Sequence, residues 1–257
     1  MDRHIDFEGV DNFRDFGGYA TACGRGLKRG LLYRSAHHAR ASEADLTALK
    51  SLGVTVVVDL RRTVEREREP SRRWAEFAAE VIENDLDGAE VDWAASLGAS
   101  DLSARWFRED GIEFYRKAVH APRYVELFAR YFQALARAEG PVLVHCAAGK
   151  DRTGMICALT HHLAGVSHED MIADYLLTND PVRIARRVRG LATYIAEHAG
   201  RAPDEAAVRV ALSADVAYLE AAFAAMAATH GSIDGYVEEV LGVDAALRAR
   251  ILDRILG

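Results

Sequence analysis

Two short apolar runs constrain the fold more than any other feature of the chain: VTVVVDL at positions 54–60 and PVLVHC at 141–146. Both runs are continuous rather than alternating, and both are rich in β-branched valine. This pattern is typical of strands that are buried on both faces of a sheet. Each run follows a segment with helical periodicity. Strands that alternate with helices predict an α/β fold, with a central, mostly parallel sheet flanked by helices.

The boundaries of several helices can be predicted from local signals. In the segment 41–53, Ser42 is a candidate N-cap with Asp45 three residues later, and Gly53 ends the helix. Further helices are predicted at 121–140, 153–165 and 167–179, and short strands at 31–33 and 80–84. The charged run RRTVEREREPSRRW (61–74) is interpreted as a solvated helix with ion pairs along its surface.

The chain is long enough for one large domain, and it contains no Pro/Ser-rich linker and no repeat. We therefore predict a single domain over 1–257. Residues 85–120 are difficult to assign and form a candidate helical insertion or lid. Trp93, Trp106 and Phe107 lie in this segment, and ordinary packing is their favoured role. Residues 166–257 are predicted to add helices at the C-terminal end.

Composition excludes several classes of partner. The net charge of −7 argues against a surface that binds nucleic acid or anionic membranes. No apolar run approaches the ~20 residues that span a bilayer, and no signal peptide is readable. The three cysteines, Cys23, Cys146 and Cys157, make a poor disulfide framework and indicate a reducing compartment. We predict a cytoplasmic protein, with export without a readable signal as the alternative; the oligomeric state is unknown at this level.

The segment PVLVHCAAGKDRTG (141–154) crowds a thiol and two cations into the turn between a predicted strand and a predicted helix. Gly149 can supply the left-handed conformation that such a turn needs. The amides of Ala147, Ala148, Gly149, Lys150, Asp151 and Arg152 can then point inward at a helix N-terminus and form an anion-binding concavity. The planar guanidinium of Arg152 suits two phosphate oxygens.

The same positive field favours a thiolate at Cys146. A free cysteine has a pKa near ~8.5, and a helix N-terminus with neighbouring cations lowers it. Cys146 is therefore a candidate nucleophile that attacks phosphorus and forms a phosphocysteine, which water then hydrolyses. Thr153 is placed to donate its hydroxyl to the sulfur. The alternative, an inert core cysteine beside surface charges, is costly because unpaired cations oppose the dipole at a helix start.

Two other site classes do not fit this loop. A nucleotide-binding P-loop needs an earlier glycine and a Ser or Thr after Lys150, where the chain has Asp151. The pair His145–Cys146 lacks the spacing of a zinc site. No metal or cofactor is predicted.

The sequence HCAAGKDRTG resembles the signature loop of the cysteine-based protein tyrosine phosphatase superfamily. The wider resemblance is to the bacterial atypical branch that includes mycobacterial protein tyrosine phosphatase B. It is carried by NFRDFGGY (12–19), LYRSA (32–36), VVDLR (57–61), ADYLLTND (173–180), VAYLEAAF (216–223) and GSIDGYVEEVLG (231–242). The resemblance implies a phosphotyrosine-phosphatase-like fold.

By the same resemblance, Cys146 is the nucleophile and Arg152 holds the transition state. His145 and Thr153 are supporting residues. The implied substrates are phosphotyrosine, phosphoserine or phosphothreonine in proteins, and phosphoinositides. Lys150 is similar to the extra cation that inositol-lipid phosphatases use for a second phosphate.

The general acid is less clear from the sequence. Asp59 of VVDLR ends a predicted strand, where α/β sheets place their sites, and Asp151 lies in the loop itself. We predict both as site residues, although Asp59 could equally orient Arg61. Asp85 and Asp87 occupy the approximate place of the mobile-loop acid, but no Trp-Pro-Asp triplet is present.

Other polar residues are given lower priority. Arg14 and Asp15 are interpreted mainly as turn formers, although they could border the pocket. The adjacent pairs His37–His38 and His161–His162 are poor metal sites because neighbouring side chains diverge. Cys157 is expected to be a buried structural thiol.

The leading hypothesis is a metal-independent phosphatase that works through phosphocysteine. A phosphate-binding pseudophosphatase is the first alternative, and a missing general acid would favour it. A sulfurtransferase also uses a cysteine loop and is the second alternative.

Overall fold

The computed structural model describes residues 3–86 and 93–257. Within these ranges, five strands form one sheet: β1 (Arg14–Asp15), β2 (Leu32–Ser35), β3 (Val56–Asp59), β4 (Glu80–Ile82) and β5 (Val142–His145). The strand order is β1-β2-β5-β3-β4, and all neighbours are parallel except β1 and β2. The predicted α/β class with a mostly parallel sheet is confirmed.

Strand β5 lies in the middle of the sheet, and its end is where the polar segments meet. Its register places His145 opposite Ser35 of β2 and opposite Asp59 of β3. Because these strands are parallel, the chain leaves all three of them at the same edge of the sheet. The segments that follow residues 35, 59 and 145 therefore converge.

Helices flank the sheet. Those in the described ranges are α1 (Glu43–Ser51), α2 (Thr63–Arg68), α3 (Trp93–Ala99), α4 (Ala104–Ala118), α5 (Pro122–Arg137), α6 (Asp151–Ala164), α7 (His168–Leu176), α8 (Pro181–Ala199), α9 (Glu205–Leu212), α10 (Val216–His230), α11 (Ile233–Glu239) and α12 (Ala245–Ile255). The helices predicted at 41–53, 121–140, 153–165 and 167–179 are present as α1, α5, α6 and α7. The segment 85–120 contains α3 and α4, and the chain beyond residue 166 is helical.

The packing of the strands explains their continuous apolar sequence. Val56 and Val58 contribute to the largest apolar cluster, whereas Val57 contributes to a second cluster on the other side of the sheet. Both faces of β3 are therefore buried, and both select valine. Helix α6, which follows β5, is buried over most of its surface and ends at Gly165 in the left-handed conformation.

A third apolar cluster lies among helices α3, α4, α8 and α9. It includes Leu97, Phe107, Ile195 and Val208. Trp93 stacks on Tyr194 at 5.9 Å between ring centroids, and Trp106 packs on the edge of Phe107. Trp93, Trp106 and Phe107 thus have the packing role that the sequence favoured.

The prediction of a solvated helix over 61–74 is wrong in two respects. Helix α2 covers only Thr63–Arg68, and both Arg61 and Glu65 are buried. Arg61 pairs with Asp59 at the end of β3, and Glu65 pairs with Arg152 of α6. Glu65 keeps one contact along the helix, with Arg62 at 3.7 Å.

Within the described part of the chain, no single helix combines the length and the apolar character needed to cross a bilayer. A bent pair, Glu205–Leu212 with Val216–His230, would do so by length and composition alone.

Candidate active site

The turn between β5 and α6 begins at Cys146, and its shape depends on Gly149. Gly149 has a φ of +63°, which is the left-handed conformation predicted for it. A Cβ atom on Gly149 would lie 2.4 Å from the carbonyl oxygen of Ser35. Glycine is therefore needed for two reasons, the dihedral angle and the close approach to β2.

The carbonyl groups of this loop are held from outside. The Ala147 oxygen accepts a hydrogen bond from the N–H of His37 at 3.3 Å. The Gly149 oxygen accepts from Asn12 Nδ2 at 2.8 Å and from Arg34 Nη2 at 2.9 Å. Asn12 Nδ2 also lies 3.4 Å from the Ala148 oxygen.

This arrangement leaves the loop amides available to an anion. The C=O and N–H of one peptide unit point in opposite directions, so carbonyls held outside turn the amides inward. No acceptor in residues 3–86 or 93–257 pairs with the N–H groups of residues 147–150. Buried N–H groups without partners are costly, and an oxyanion would satisfy them.

Cys146 opens the loop and is only 2% exposed. Behind it, the ring of His145 is fully buried and packs against the ring of His38 at 4.7 Å between centroids. Burial lowers the pKa of His145 to about 4, although Asp59 opposes the shift. His145 is therefore neutral at neutral pH and adds volume, not charge, beneath the thiol.

Arg152 is oriented by a carboxylate from α2. Its Nη1 and Nη2 donate to the two carboxylate oxygens of Glu65 at 2.6 and 2.8 Å, and Nη1 also reaches the Leu60 oxygen at 3.3 Å. Burial lowers the pKa of the Arg152 guanidinium, but the charges of Glu65, Tyr124 and Cys146 outweigh burial and raise it well above its usual value. The planar fork is thus fixed in place.

Asp59 has the orienting role that the sequence analysis left as an alternative. It is fully buried, and the guanidinium of Arg61 grips it through Nε at 2.9 Å and Nη2 at 2.7 Å. Burial raises the pKa of Asp59, but the charge and the hydrogen bonds of Arg61 lower it more strongly, below its ordinary value. A carboxylate that is ionised and enclosed in this way is badly placed to donate a proton.

Asp151 differs from Asp59 because it is accessible. It is the first residue of α6, and its side chain is 30% exposed. The hydroxyl of Tyr115 donates to its Oδ1 at 3.2 Å and also lies 2.8 Å from the hydroxyl of Tyr175. Gly154, in the first turn of α6, makes room for Tyr175, since a Cβ there would lie 2.7 Å from that ring.

The other two predicted acids fall outside this arrangement. Asp85 is 77% exposed, forms an ion pair with Arg66, and accepts from Thr63 Oγ1 at 3.0 Å. Asp87 lies outside the described residues.

Lys150 differs from the expectation of a cation available for a second phosphate. Its ammonium donates to the carbonyl oxygens of Ala211 at 2.7 Å, in the last turn of α9, and of Ser213 at 3.1 Å, just after that helix. It also lies 3.5 Å from Asp151 Oδ1. Burial lowers the pKa of Lys150, with Asp151 opposing the shift. The side chain connects the loop to the helical layer.

The hydroxyl of Thr153 is buried and has no hydrogen-bond partner in the described ranges. Because no acceptor in those ranges takes its proton, this hydroxyl can donate a hydrogen bond to sulfur.

A buried charge cluster backs the loop from the sheet side. Arg14 Nε lies 3.4 Å from Asp174 Oδ1, and Arg34 Nη1 lies 3.3 Å from Asp174 Oδ2. Asp15, by contrast, accepts from the backbone N–H groups of Gly17 and Gly30, which is the turn-forming role predicted for it. The turn-forming interpretation is wrong for Arg14, which is fully buried.

A cavity of about 610 Å³ adjoins the loop at Ala147. Residues from the segments 4–13, 36–40 and 180–187 line it, and Arg183 and Arg187 share Asp11 at 3.4 and 3.1 Å in its wall. The space is large enough for several residues of a polypeptide beside the loop.

Comparison with known proteins agrees with the site. A family model described as "tyrosine phosphatase family" matches residues 5–257. The chain belongs to the tyrosine phosphatase family. Its predicted class, a protein-tyrosine-phosphatase, is thereby confirmed.

Individual relatives cover most of this phosphatase. It is 34% identical over 248 residues to a Cupriavidus necator protein whose name describes a tyrosine-protein phosphatase, H16_A0669, and the match covers 95% of this chain and 86% of that protein. It is 29% identical over 293 residues to the triple specificity protein phosphatase PtpB of Mycobacterium tuberculosis, covering 98% and 99%. The crystal structure of P. aeruginosa TpbA matches 76% of this chain and 96% of its own at 21% identity, with a TM-score of 0.33, too low to carry an argument.

Several residues of this phosphatase's site were missed by sequence reasoning. Glu65 was assigned to a solvated helix, and Asn12, Arg34 and Asp174 had no assigned role. The available signal was their place in the quoted motifs 12–19, 32–36 and 173–180, which the structure brings together behind one loop. Only spatial proximity shows that these motifs belong to a single site.

Proposed function

We propose that this protein is a metal-independent phosphatase that hydrolyses phosphotyrosine monoesters through a phosphocysteine at Cys146. One observation carries the proposal: Cys146 opens a loop whose amides at 147–150 have no acceptor in the described ranges, with the fixed guanidinium of Arg152 six residues later. A loop of this kind can seat a phosphoryl group beside the sulfur.

In the first step, the Cys146 thiolate attacks phosphorus. A sulfur–phosphorus bond forms as the bond from phosphorus to the ester oxygen breaks, and the leaving oxygen takes a proton. Arg152 and the loop amides stabilise the charge on the three equatorial oxygens. Since Glu65 already holds the guanidinium, little reorganisation is needed as the transition state forms.

We assign the proton donor to Asp151. Asp59 is enclosed by Arg61, and Asp85 is held by Arg66 at the surface. Asp151 lies in the loop, is partly exposed, and is oriented by Tyr115. A carboxyl group in this position can reach both the leaving oxygen and solvent.

In the second step, water attacks the phosphocysteine. Asp151, now a carboxylate, accepts the proton from water, the sulfur–phosphorus bond breaks, and phosphate and the thiolate are released. Thr153 donates its unpartnered hydroxyl to the leaving sulfur. The imidazole of His145, below the loop, stays neutral throughout both steps.

The substrate is a phosphorylated protein, with phosphotyrosine as the principal residue. Family membership supports this choice, and the cavity beside Ala147 has room for the flanking polypeptide. One relative is named a triple specificity phosphatase, so phosphoserine, phosphothreonine and phosphoinositides are the further substrates to compare. The tethered ammonium of Lys150 gives no support to a second phosphate site.

The decisive experiment measures hydrolysis of a phosphotyrosine peptide in the presence of EDTA, for the wild type and for Cys146→Ser. We expect turnover by the wild type, a labelled phosphoprotein trapped by rapid acid quench from ³²P-labelled peptide, and neither in the variant. Cys157→Ser, which changes the other buried thiol of this region, is the matched control and should keep both signals. Phosphate binding without turnover in the wild type would identify a pseudophosphatase and overturn the proposal.

The acid is tested by leaving-group dependence. Asp151→Asn should slow hydrolysis of phosphotyrosine, whose leaving oxygen needs a proton, much more than hydrolysis of p-nitrophenyl phosphate, whose leaving group needs none. Asp85→Asn should affect both substrates equally and weakly. Equal losses on both substrates in Asp151→Asn would remove Asp151 from the role of acid.

A further inference from the structure

The charges around the loop are balanced unevenly. Three cations of the site each pair with a different carboxylate: Arg61 with Asp59, Arg152 with Glu65, and Lys150 with Asp151. Glu65 also lies 3.7 Å from the half-buried Arg62. In contrast, Arg14 and Arg34 share the single carboxylate of Asp174. In the part of the chain that the structure describes, no other carboxylate pairs with either guanidinium.

This cluster carries one net positive charge in a place without solvent. Arg14 and Arg34 are fully buried, and the side chain of Asp174 is 1% exposed. The remaining hydrogen bonds of Arg14 go to neutral acceptors: Asn12 Oδ1 at 2.6 Å, the Asp174 carbonyl at 2.8 Å and Thr178 Oγ1 at 3.5 Å. A buried charge without a partner is strongly unfavourable, so a fold that keeps one needs a compensating anion.

The geometry of Arg34 indicates where that anion forms. One Nη of Arg34 donates to the Gly149 carbonyl in the loop, and its buried Nε has no hydrogen-bond partner in the described ranges. Burial lowers the pKa of Arg34, but nearby anionic groups, among them the carboxylate of Asp174, outweigh burial and raise it. Burial raises the pKa of the Cys157 thiol to about 12, so Cys157 stays neutral. Cys146 is the other buried thiol, and it opens the loop whose Gly149 carbonyl Arg34 holds.

We propose that Arg34, with Arg14 and Asp174, forms a buried cationic cluster that stabilises the thiolate of Cys146 from behind the loop. Arg34 is a positioning residue: it holds the Gly149 carbonyl outward and supplies the uncompensated charge. The inference rests on the proposed role of Cys146 as nucleophile. It adds which residues stabilise the ionised form of that thiol.

Other groups also face the loop and contribute to its field. They come from the segment after β2, from β3, α2, α4 and α5, and from β5 and α6: His37, His38, Asp59, Arg61, Glu65, Tyr115, Tyr124, His145, Lys150, Asp151, Arg152 and Cys157. The proposal concerns the change in thiol ionisation that follows when a residue of the cluster is substituted and all these other groups are kept.

The test measures the rate of alkylation of Cys146 by iodoacetamide as a function of pH. It uses a Cys23→Ser background, because the exposed Cys23 thiol would otherwise react. Arg34→Met should move the midpoint upward by about one pH unit, which is roughly a tenfold smaller thiolate fraction below the midpoint. Asp174→Asn should move it downward, because the cluster then carries a second net charge.

Opposite shifts separate the proposal from general damage to the fold. Arg34→Lys keeps the charge and should shift the midpoint less than Arg34→Met. Arg137→Met, which breaks an ion pair with Glu80 at the start of β4, is the control and should leave it unchanged. Folding of each variant is checked by thermal unfolding, and if Arg34→Met does not fold, Arg34→Lys and Asp174→Asn decide.

Two results would overturn the inference: shifts in the same direction for the arginine and aspartate variants, or no shift beyond about 0.3 pH units in any folded variant. Both results are read from the rate of alkylation, so they do not depend on whether the protein turns over a substrate. A failure of the wild type to form phosphocysteine would overturn the proposed function, while the alkylation profile would still report on Arg34.

Discussion

The two sides of the loop between β5 and α6 are built in different ways. On the sheet side, Asn12 and Arg34 hold the loop carbonyls, and Asp59 with His145 fills the space beneath them. These groups are buried and tightly bonded. On the helical side, Lys150 is tied to two backbone carbonyls, and the partly exposed Asp151 meets Tyr115.

This difference indicates that the two sides of the loop have different roles. Buried groups that are hydrogen-bonded to the backbone of the loop resist movement, and they define where phosphate oxygens and sulfur lie. The helical side uses contacts that a change in the packing of α9 and α10 would alter. We infer that the sheet side determines the chemistry and that the helical side determines which substrates can approach. Four predictions test this comparison.

The largest effect is expected on the sheet side at Arg152. Arg152→Lys keeps the charge but loses the two-pronged geometry, so kcat for a phosphotyrosine peptide should fall about 10²- to 10³-fold. Steady-state kinetics give the value. Arg248→Lys, at the surface on α12, is the control. A loss below about fivefold would mean that charge alone is enough and would weaken the comparison.

Acid should destabilise the sheet side through His145. Its folded pKa of about 4 lies below the ~6.5 of an unfolded chain, so the unfolded state binds more protons between these values. Stability is complete above pH ~6.5 and should fall by up to about 3 kcal/mol as the pH decreases to ~4. Urea unfolding at a series of pH values measures this slope.

His145→Gln should flatten that part of the pH dependence, whereas His168→Gln at the surface of α7 should not. An unchanged slope in His145→Gln would show that other groups cause the acid sensitivity.

Gly149 and Gly53 both have a left-handed backbone conformation, and comparing them separates two costs of adding a side chain there. One cost is the dihedral strain, and the other is a clash with neighbouring atoms. Gly149→Ala adds a clash with the Ser35 carbonyl to the dihedral strain, whereas Gly53→Ala, at a φ of +65°, meets open space. We expect Gly53→Ala to cost about 1 kcal/mol and Gly149→Ala about 2–3 kcal/mol, because only the second requires β2 to move. Urea unfolding compares the two variants. Equal losses would show that the loop can shift away from β2.

The smallest effect is expected on the helical side. Lys150→Met removes the donor to the Ala211 and Ser213 carbonyls and should cost about 1–2 kcal/mol of stability. Its kcat/KM should fall by a similar factor for a phosphotyrosine peptide and for a phosphoinositide, with Lys117→Met as the control on α4. A selective loss on the phosphoinositide would place the ammonium on substrate and reverse the assignment of its role.

Sequence reasoning succeeded where the signal is local. The strand at 141–146, the glycine at 149 and the helix at 153–165 lie next to one another in the chain, and their conformations follow from residue type. The strand order, the pairing of Glu65 with Arg152 and the hydrogen bonds of Lys150 depend on distant segments. Leu32 pairs with Val142, Glu65 contacts Arg152, and Lys150 contacts Ala211. No local pattern contains that information.

The chain by itself determined an α/β sheet and a strand-to-helix turn with a thiol, a glycine and an arginine at fixed spacing, because backbone dihedrals and apolar periodicity act over a few residues. The tertiary structure alone decided that Arg14, Arg34 and Asp174 meet in one buried cluster, that Asp59 grips Arg61, and that Asp151 remains accessible. Burial and charge pairing depend on which distant segments converge at the edge of the sheet, and these two properties set the ionisation of a side chain.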